Sequence, residues 1–246
     1  MAKNKLRKFA EMALLENVFQ GNFEQLVEHD FELKGKWREN YFHNNNPIVV
    51  ELGCGKGEYT VGLAHLFPNK NFIGVDIKGA RMYDGATQAA KENLTNAAFI
   101  RTRIELIDRF FASDEINEIW LTFPDPQMAK PRKRLIGTKM LSLYTKMLCN
   151  NGSIHLKTDS NFLFRYTEEM LKANAITPVI ATNNLYKTLS NNDILSIKTY
   201  YEQKWLNYGL DIKYIKFSMP HRTLIEPTVE IERDTYHSVG YGAQEK

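Results

Sequence analysis

Chemistry in this chain concentrates on a few carboxylates and on a loop built from alternate glycines. The run Ile48-Val49-Val50-Glu51-Leu52-Gly53-Cys54-Gly55-Lys56-Gly57 closes an apolar burst with an acid and then enters that loop. A buried parallel strand reads as a continuous apolar run, and glycine admits positive φ and a close ligand. A second acid, Asp76, ends the next apolar run, Asn71–Asp76, nineteen positions after Gly57. Nucleotide-binding α/β sheets carry a ribose-gripping carboxylate at about that separation. Glu58 stands where a dinucleotide fingerprint has its third glycine. A pyrophosphate is held by backbone N–H groups and a positive helix end, so a carboxylate there disfavours it. Glu51, just before the loop, suits a cationic ligand instead. S-adenosylmethionine fits, with an adenosine for Asp76 and a sulfonium and α-amino group for the acidic end. A plain strand–turn–helix without ligand remains one alternative. A nicotinamide-dependent oxidoreductase is another, disfavoured by Glu58 and the G-x-G-x-G spacing.

A second group of reactive positions follows the later strands. In Thr122-Phe123-Pro124-Asp125-Pro126-Gln127 two prolines brace Asp125 and fix its direction. His155-Leu156-Lys157-Thr158-Asp159 presents another acid, either a ligand group or the N-cap of the next helix. Between them Lys130-Pro131-Arg132-Lys133-Arg134 carries four cations in five residues, a solvated loop or a grip for phosphates. Further on, Thr199-Tyr200-Tyr201-Glu202-Gln203-Lys204-Trp205 mixes hydrogen-bonding groups with aromatics. Its plainer reading is an amphipathic helix that buries Trp205.

These positions require a scaffold that brings strand ends together. At 246 residues and 43% hydrophobic content the chain is long enough for one large core with modest extensions. Strands are expected near 47–52, 71–76, around Phe99-Ile100, 116–123, 153–157 and 212–217, with a further segment at 176–180. Helices are expected near 57–66, 79–93, 104–111, 138–148, 160–173 and 199–208, and as pieces over Glu11–Phe19 and Phe23–Glu28. Ala86, Ala89 and Ala90 offer a close-packing face. Such β–α alternation predicts an α/β fold with a doubly wound, mostly parallel sheet. Ligands of such sheets bind at the carboxyl ends of the strands. Residues 1–46 read as a basic arm and helical extension, 47–219 as the main domain, and 220–246 as a weakly patterned, partly disordered tail. No apolar run approaches the roughly 18 residues of a membrane span. Cys54 and Cys149 lie far apart without metal-ligand partners, so neither a disulfide framework nor a metal is expected. A cytoplasmic protein is the default.

Taken together, the ELGCGKGE loop, the FPDP turn, the basic RKRL segment, HLKTD and TYYEQK resemble the bacterial tRNA (guanine-N7-)-methyltransferase family. The glycine loop is itself similar to the first motif of class I methyltransferases. The resemblance spans about Ile48 to Phe217. It implies the seven-stranded, Rossmann-like class I fold, and methyl transfer from S-adenosylmethionine to N7 of the variable-loop guanosine, position 46, of tRNA. Carried over by motif, Glu51, Gly53, Gly55, Asp76, Arg103 and Asp125 would bind the cofactor. Asp125 would also be the key acid at the cofactor–substrate junction, the catalytic position. Asp159, Thr199, Tyr200, Tyr201 and Glu202 would bind substrate. The family's substrate lysine falls at Ala129 here, so Lys130, one residue on, is the candidate to replace it. Guanine N7 already presents a lone pair, so no strong general base is needed. Related enzymes occur as monomers and homodimers. The rival activity is methyl transfer to another RNA base or a small molecule.

Overall fold

The computed structural model describes residues 2–21, 23–189, 195 and 197–235. Its strands are β1 (Val18–Gln20), β2 (Ile48–Leu52), β3 (Asn71–Asp76), β4 (Ala97–Arg101), β5 (Ile116–Thr122), β6 (Leu148–Thr158), β7 (Ile180–Thr182) and β8 (Lys213–Ser218). Among the described residues they form one eight-stranded sheet in the order β1-β4-β3-β2-β5-β6-β8-β7. All neighbours run parallel except β8, which is antiparallel to β6 and β7. The order reverses between β2 and β5, so their carboxyl ends flank the crevice where open α/β sheets bind ligands.

The helices are α1 (Ala2–Met12), α2 (Phe23–Glu28), α3 (Glu58–Leu66), α4 (Gly79–Lys91), α5 (Thr138–Tyr144), α6 (Asn161–Ala173), α7 (Leu185–Thr188) and α8 (Tyr200–Asn207). They cover two faces. One core layer joins Ile48, Val50 and Leu52 to Trp37, Leu141, Leu163 and Phe217. The other joins Val49 to Tyr59, Met82, Ala86, Phe99, Trp120 and Trp205. Alternation along β2 therefore places Glu51 on the Val49 face, under α3.

Two expectations are corrected. The sheet has eight strands rather than seven, because Val18–Gln20 pairs with β4 and Phe19 packs edge-on against Trp37 and Tyr41. The helix expected over Glu11–Phe19 is displaced: the basic arm itself is helical and ends at Met12. Of the tail, residues 220–235 are described and pack along α6. Asn174 exchanges hydrogen bonds with Ile225 (2.8 and 2.7 Å), Tyr166 Oη donates to Glu226 (2.8 Å), and Phe162 N donates to Asp234 (3.0 Å). Asn191 and Asn192, read as loop, lie outside the described residues. No described helix is long and apolar enough to cross a membrane.

Candidate active site

The glycine loop joins β2 to α3 with Gly53, Gly55 and Gly57 at φ of 82°, 56° and 74°. An L side chain rarely adopts that conformation. A Cβ at Gly55 would meet nothing within 4 Å, so the loop is open on the side a ligand would approach. A Cβ at Gly57 would lie 2.6 Å from Phe99 Cε1, so this glycine is required by close packing. Glu51 is 3% exposed. Its Oε2 accepts from Thr60 N (2.9 Å) and Thr60 Oγ1 (2.5 Å), and its Oε1 accepts from Thr122 Oγ1. A carboxylate has about four lone-pair sites, so one remains. Burial drives its pKa up to about 7; the Thr122 and Thr60 bonds oppose this, and Asp76 adds to it. Asp76 holds the loop from the next strand: its Oδ2 accepts from Gly55 N (3.0 Å) and its Oδ1 from Lys78 N (2.8 Å). Cys54 is buried packing, and burial first, then Glu51 and Asp76, push its thiol well above the ordinary range.

Arg103 lies beyond β4 on the rim of a cavity of about 390 Å³ that it shares with Gly21, Phe23, Ile77 and Thr102. Its guanidinium is 5.7 Å from the Phe23 ring centroid. Ile77, one residue past Asp76, also lines this cavity, whose walls mix Leu26 and Leu106 with Gln20 and Arg101.

Asp125 is exposed at the carboxyl end of β5. Phe123 (φ 52°) and Gln127 (φ 48°) bracket its turn, and Asp125 Oδ1 accepts from Gln127 N at 3.0 Å. Phe123 N donates to Lys157 O (2.8 Å), which sets where the turn leaves the sheet. Arg134, read with the basic cluster, is only 4% exposed. Its Nε donates to Pro126 O (3.1 Å), and its guanidinium lies 4.0 Å from the Tyr166 ring centroid. It braces the Asp125 turn. Lys130, Arg132 and Lys133 stay exposed.

Asp159 closes β6 at 5% exposure, and its carbonyl accepts from Lys213 Nζ (2.9 Å). The N-cap of α6 is Ser160, not Asp159: Ser160 Oγ accepts from Leu163 N. The Thr199–Glu202 segment opens α8 and docks on the glycine loop. Thr199 caps the helix by accepting from Glu202 N (3.2 Å), and Tyr200 N donates to Glu58 Oε2 (2.9 Å). Lys56 Nζ lies 4.2 Å from the Tyr200 ring centroid, and Arg81 lies 5.9 Å from that of Tyr201. Tyr200 is 53% exposed, whereas Glu202 is fully enclosed. Trp205 is buried, as the plainer reading expected.

Thr60 and Gly85 escaped the sequence reading, Thr122 was read only as part of the run around Asp125, and Arg134 was read as a phosphate grip rather than as the brace of that turn. A Cβ on Gly85 would stand 2.4 Å from Lys56 O, so α4 passes directly under the loop. The signal available was a glycine one step before Ala86. No group of three or more His, Cys, Asp or Glu able to hold a metal occurs among the described residues.

A loop of this construction before a helix, an acid on the next strand and this strand order define a class I methyltransferase. A solved structure titled as a 30S ribosomal A1408 methyltransferase from an uncultured bacterium has the same fold. The TM-score is 0.56 at 19% identity, over 77% of this chain and 95% of that one. Residues 45–215 match the family model described as "Putative methyltransferase". The tRNA (guanine-N(7)-)-methyltransferase of Bacteroides fragilis (strain YCH46) is 56% identical over 97% of this chain and 95% of its own length. That of Porphyromonas gingivalis (strain ATCC BAA-308 / W83) is 54% identical over 92% and 95%. The chain belongs to the tRNA (guanine-N(7)-)-methyltransferase family.

Proposed function

We propose that this protein methylates N7 of the variable-loop guanosine, position 46, of tRNA, with S-adenosylmethionine as donor. It works in the cytoplasm, as a monomer or homodimer. One observation carries the reading. Glu51, Asp76, Asp125 and Asp159 end four neighbouring strands at one edge of the sheet, and the start of α8 is docked on the glycine loop beside them.

The residues present fit the donor. Gly55 leaves an open cradle, and Glu51 keeps a lone pair for an ammonium. Asp76 is fixed by two backbone N–H groups and faces the loop, where ribose hydroxyls would donate to it. Ile77, Thr102 and Arg103 line the recess suited to a flat purine. When bound, S-adenosylmethionine supplies an electrophilic methyl group on a sulfonium.

The remaining work is positioning. Asp125 accepts from the N–H edge of the guanine, which orients N7, and its negative charge stabilises the positive charge growing on the purine. Asp159, Thr199, Tyr200 and Tyr201 hold the nucleoside and its flanks, while Lys130 with Arg132 and Lys133 meets phosphates. The test is direct. Methyl-labelled donor and unmodified tRNA are incubated with the protein, and digestion should release 7-methylguanosine. Asp125→Ala should lower kcat about a hundredfold or more and leave binding of S-adenosylhomocysteine within about threefold. Label in another nucleoside, or near-wild-type turnover by the variant, would reject the reading.

A further inference from the structure

Glu202 is sealed inside the protein more completely than the other groups assigned to the substrate: Asp159 is 5%, Thr199 9% and Tyr200 53% exposed. The side chains of Glu202 and Lys157 are both 0% exposed, with Nζ 2.8 Å from Oε1. Lys157 Nζ is 2.9 Å from Oε2, and Tyr186 Oη donates to Oε1. The ammonium also donates to Leu195 O (2.9 Å) and Ile197 O (3.1 Å). An ammonium has three N–H donors, so one carboxylate and two carbonyls use them all. The rings of Tyr59 and Tyr186 cover it, their centroids 5.3 and 5.9 Å away. A carboxylate enclosed this way touches an RNA only if the pair is dismantled, and breaking a buried pair is strongly destabilising.

What the pair does hold is the chain leading into α8. Lys157 lies on β6, and its own carbonyl accepts from Phe123 N at the root of the Asp125 turn. Its side chain grips residues 195 and 197 and, through Glu202, the first turn of α8. From the opposite side Glu58 accepts from Tyr200 N, and Lys56 lies against the Tyr200 ring. The start of α8 is thus moored at two points, to β6 and to the donor loop. Tyr200, 53% exposed, is the group left facing outward.

We propose that Lys157 and Glu202 are positioning residues: the buried pair sets Thr199 and Tyr200 at the correct height over the donor loop, and Glu202 does not itself touch tRNA. This rests on the methyl transfer to tRNA proposed above. Lys157 acts on both sides of the site at once, on Asp125 through its carbonyl and on α8 through its ammonium.

The experiment measures KM for tRNA, kcat, and calorimetric affinity for S-adenosylhomocysteine in Lys157→Met, Glu202→Leu and the double variant. Each single change should raise KM for tRNA about tenfold with nucleoside-product affinity within about threefold. The double variant should be no worse than the worse single one, because it removes a unit rather than two contacts. Glu202→Gln keeps an acceptor for Lys157 and a partner for Tyr186, so its KM should rise less than that of Glu202→Leu. Losses that multiply in the double variant, or a Glu202→Gln variant as impaired as Glu202→Leu, would overturn the proposal by making Glu202 a contact in its own right. Where Lys157→Met does not fold, Tyr186→Phe removes one hydroxyl from the pair and should raise KM for tRNA about threefold; an unchanged KM would overturn it. Wild-type protein that makes no 7-methylguanosine in the same assay would reject the activity instead, so the two failures are distinct.

Discussion

Glu51 is an acid that its own surroundings make hard to ionise. Burial lifts it to about 7, the bonds from Thr122 and Thr60 pull the other way, and the nearby charge of Asp76 lifts it further. An acid raised in the folded state stabilises the unliganded protein fully below its unfolded value, 4.5, and loses that contribution as pH rises through about 7. The quantity at stake is about 3 kcal/mol. A ligand ammonium reverses the balance, because it favours the carboxylate. Affinity for S-adenosylhomocysteine, which has an α-amino group, should therefore climb between pH 5.5 and 7 as Glu51 gives up its proton. It should fall again only at distinctly alkaline pH, once the ligand's α-ammonium, held protonated by its own neighbouring carboxylate, loses its proton. Calorimetry across this range should also show proton release on binding below pH 7. Glu51→Gln should bind more weakly and lose the rise on the acid side. A pH-independent affinity in the wild type would assign the ammonium to another group.

At the level of elements, the contact between the loop and α4 decides whether a cradle exists. A methyl on Gly85 would face Lys56 O at 2.4 Å and Gly57 Cα at 2.9 Å, both backbone atoms that have no rotamer to escape into. Gly85→Ala should cost about 1–3 kcal/mol of stability and weaken nucleoside-product binding more than tenfold. Ala90→Gly, on the exposed face of the same helix, should cost about 1 kcal/mol and leave binding unchanged. Thermal melts with calorimetry separate the two effects. The central elements were legible because their signals are local. Asn71–Asp76 is a strand with the bounds its apolar run suggested, and Ile48–Leu52 differs by one residue. Val18–Gln20 is only three residues long, too short for any period to show, and its strand character comes from β4 and the ring of Trp37. The alanine face of α4 was read correctly at Ala86 and Ala89, yet Ala90 is exposed and the decisive residue is Gly85. The acids at strand ends could be found in the same way. Their partners could not: Thr60, Lys157 with Glu202, and Arg134 with Tyr166 meet only once distant segments have packed.

Across the whole molecule, a net charge of +3 on 246 residues says little about an RNA partner, and the placement of each cation says more. The run from Lys130 to Arg134 looks uniform in sequence, but the fold divides it. Lys130, Arg132 and Lys133 face solvent, while Arg134 points inward to the carbonyls of Pro126 and Gln127 and stacks on Tyr166. Glu226, from the tail laid along α6, approaches the same guanidinium at 3.9 Å, so the far end of the chain helps to brace the Asp125 turn. Two kinds of cation should give two signatures. Each phosphate contact contributes about 0.7–0.9 to the slope of log affinity against log salt. Replacing Lys130, Arg132 and Lys133 together by Gln should flatten that slope for tRNA by about 2 and leave nucleoside-product binding unchanged. Arg134→Met keeps the bulk of the side chain but none of its donors. It should leave the slope unchanged and lower kcat about tenfold, because the turn that carries Asp125 loses its anchor. A shallower slope in Arg134→Met, or an unchanged one in the triple variant, would move the RNA-binding surface away from this loop.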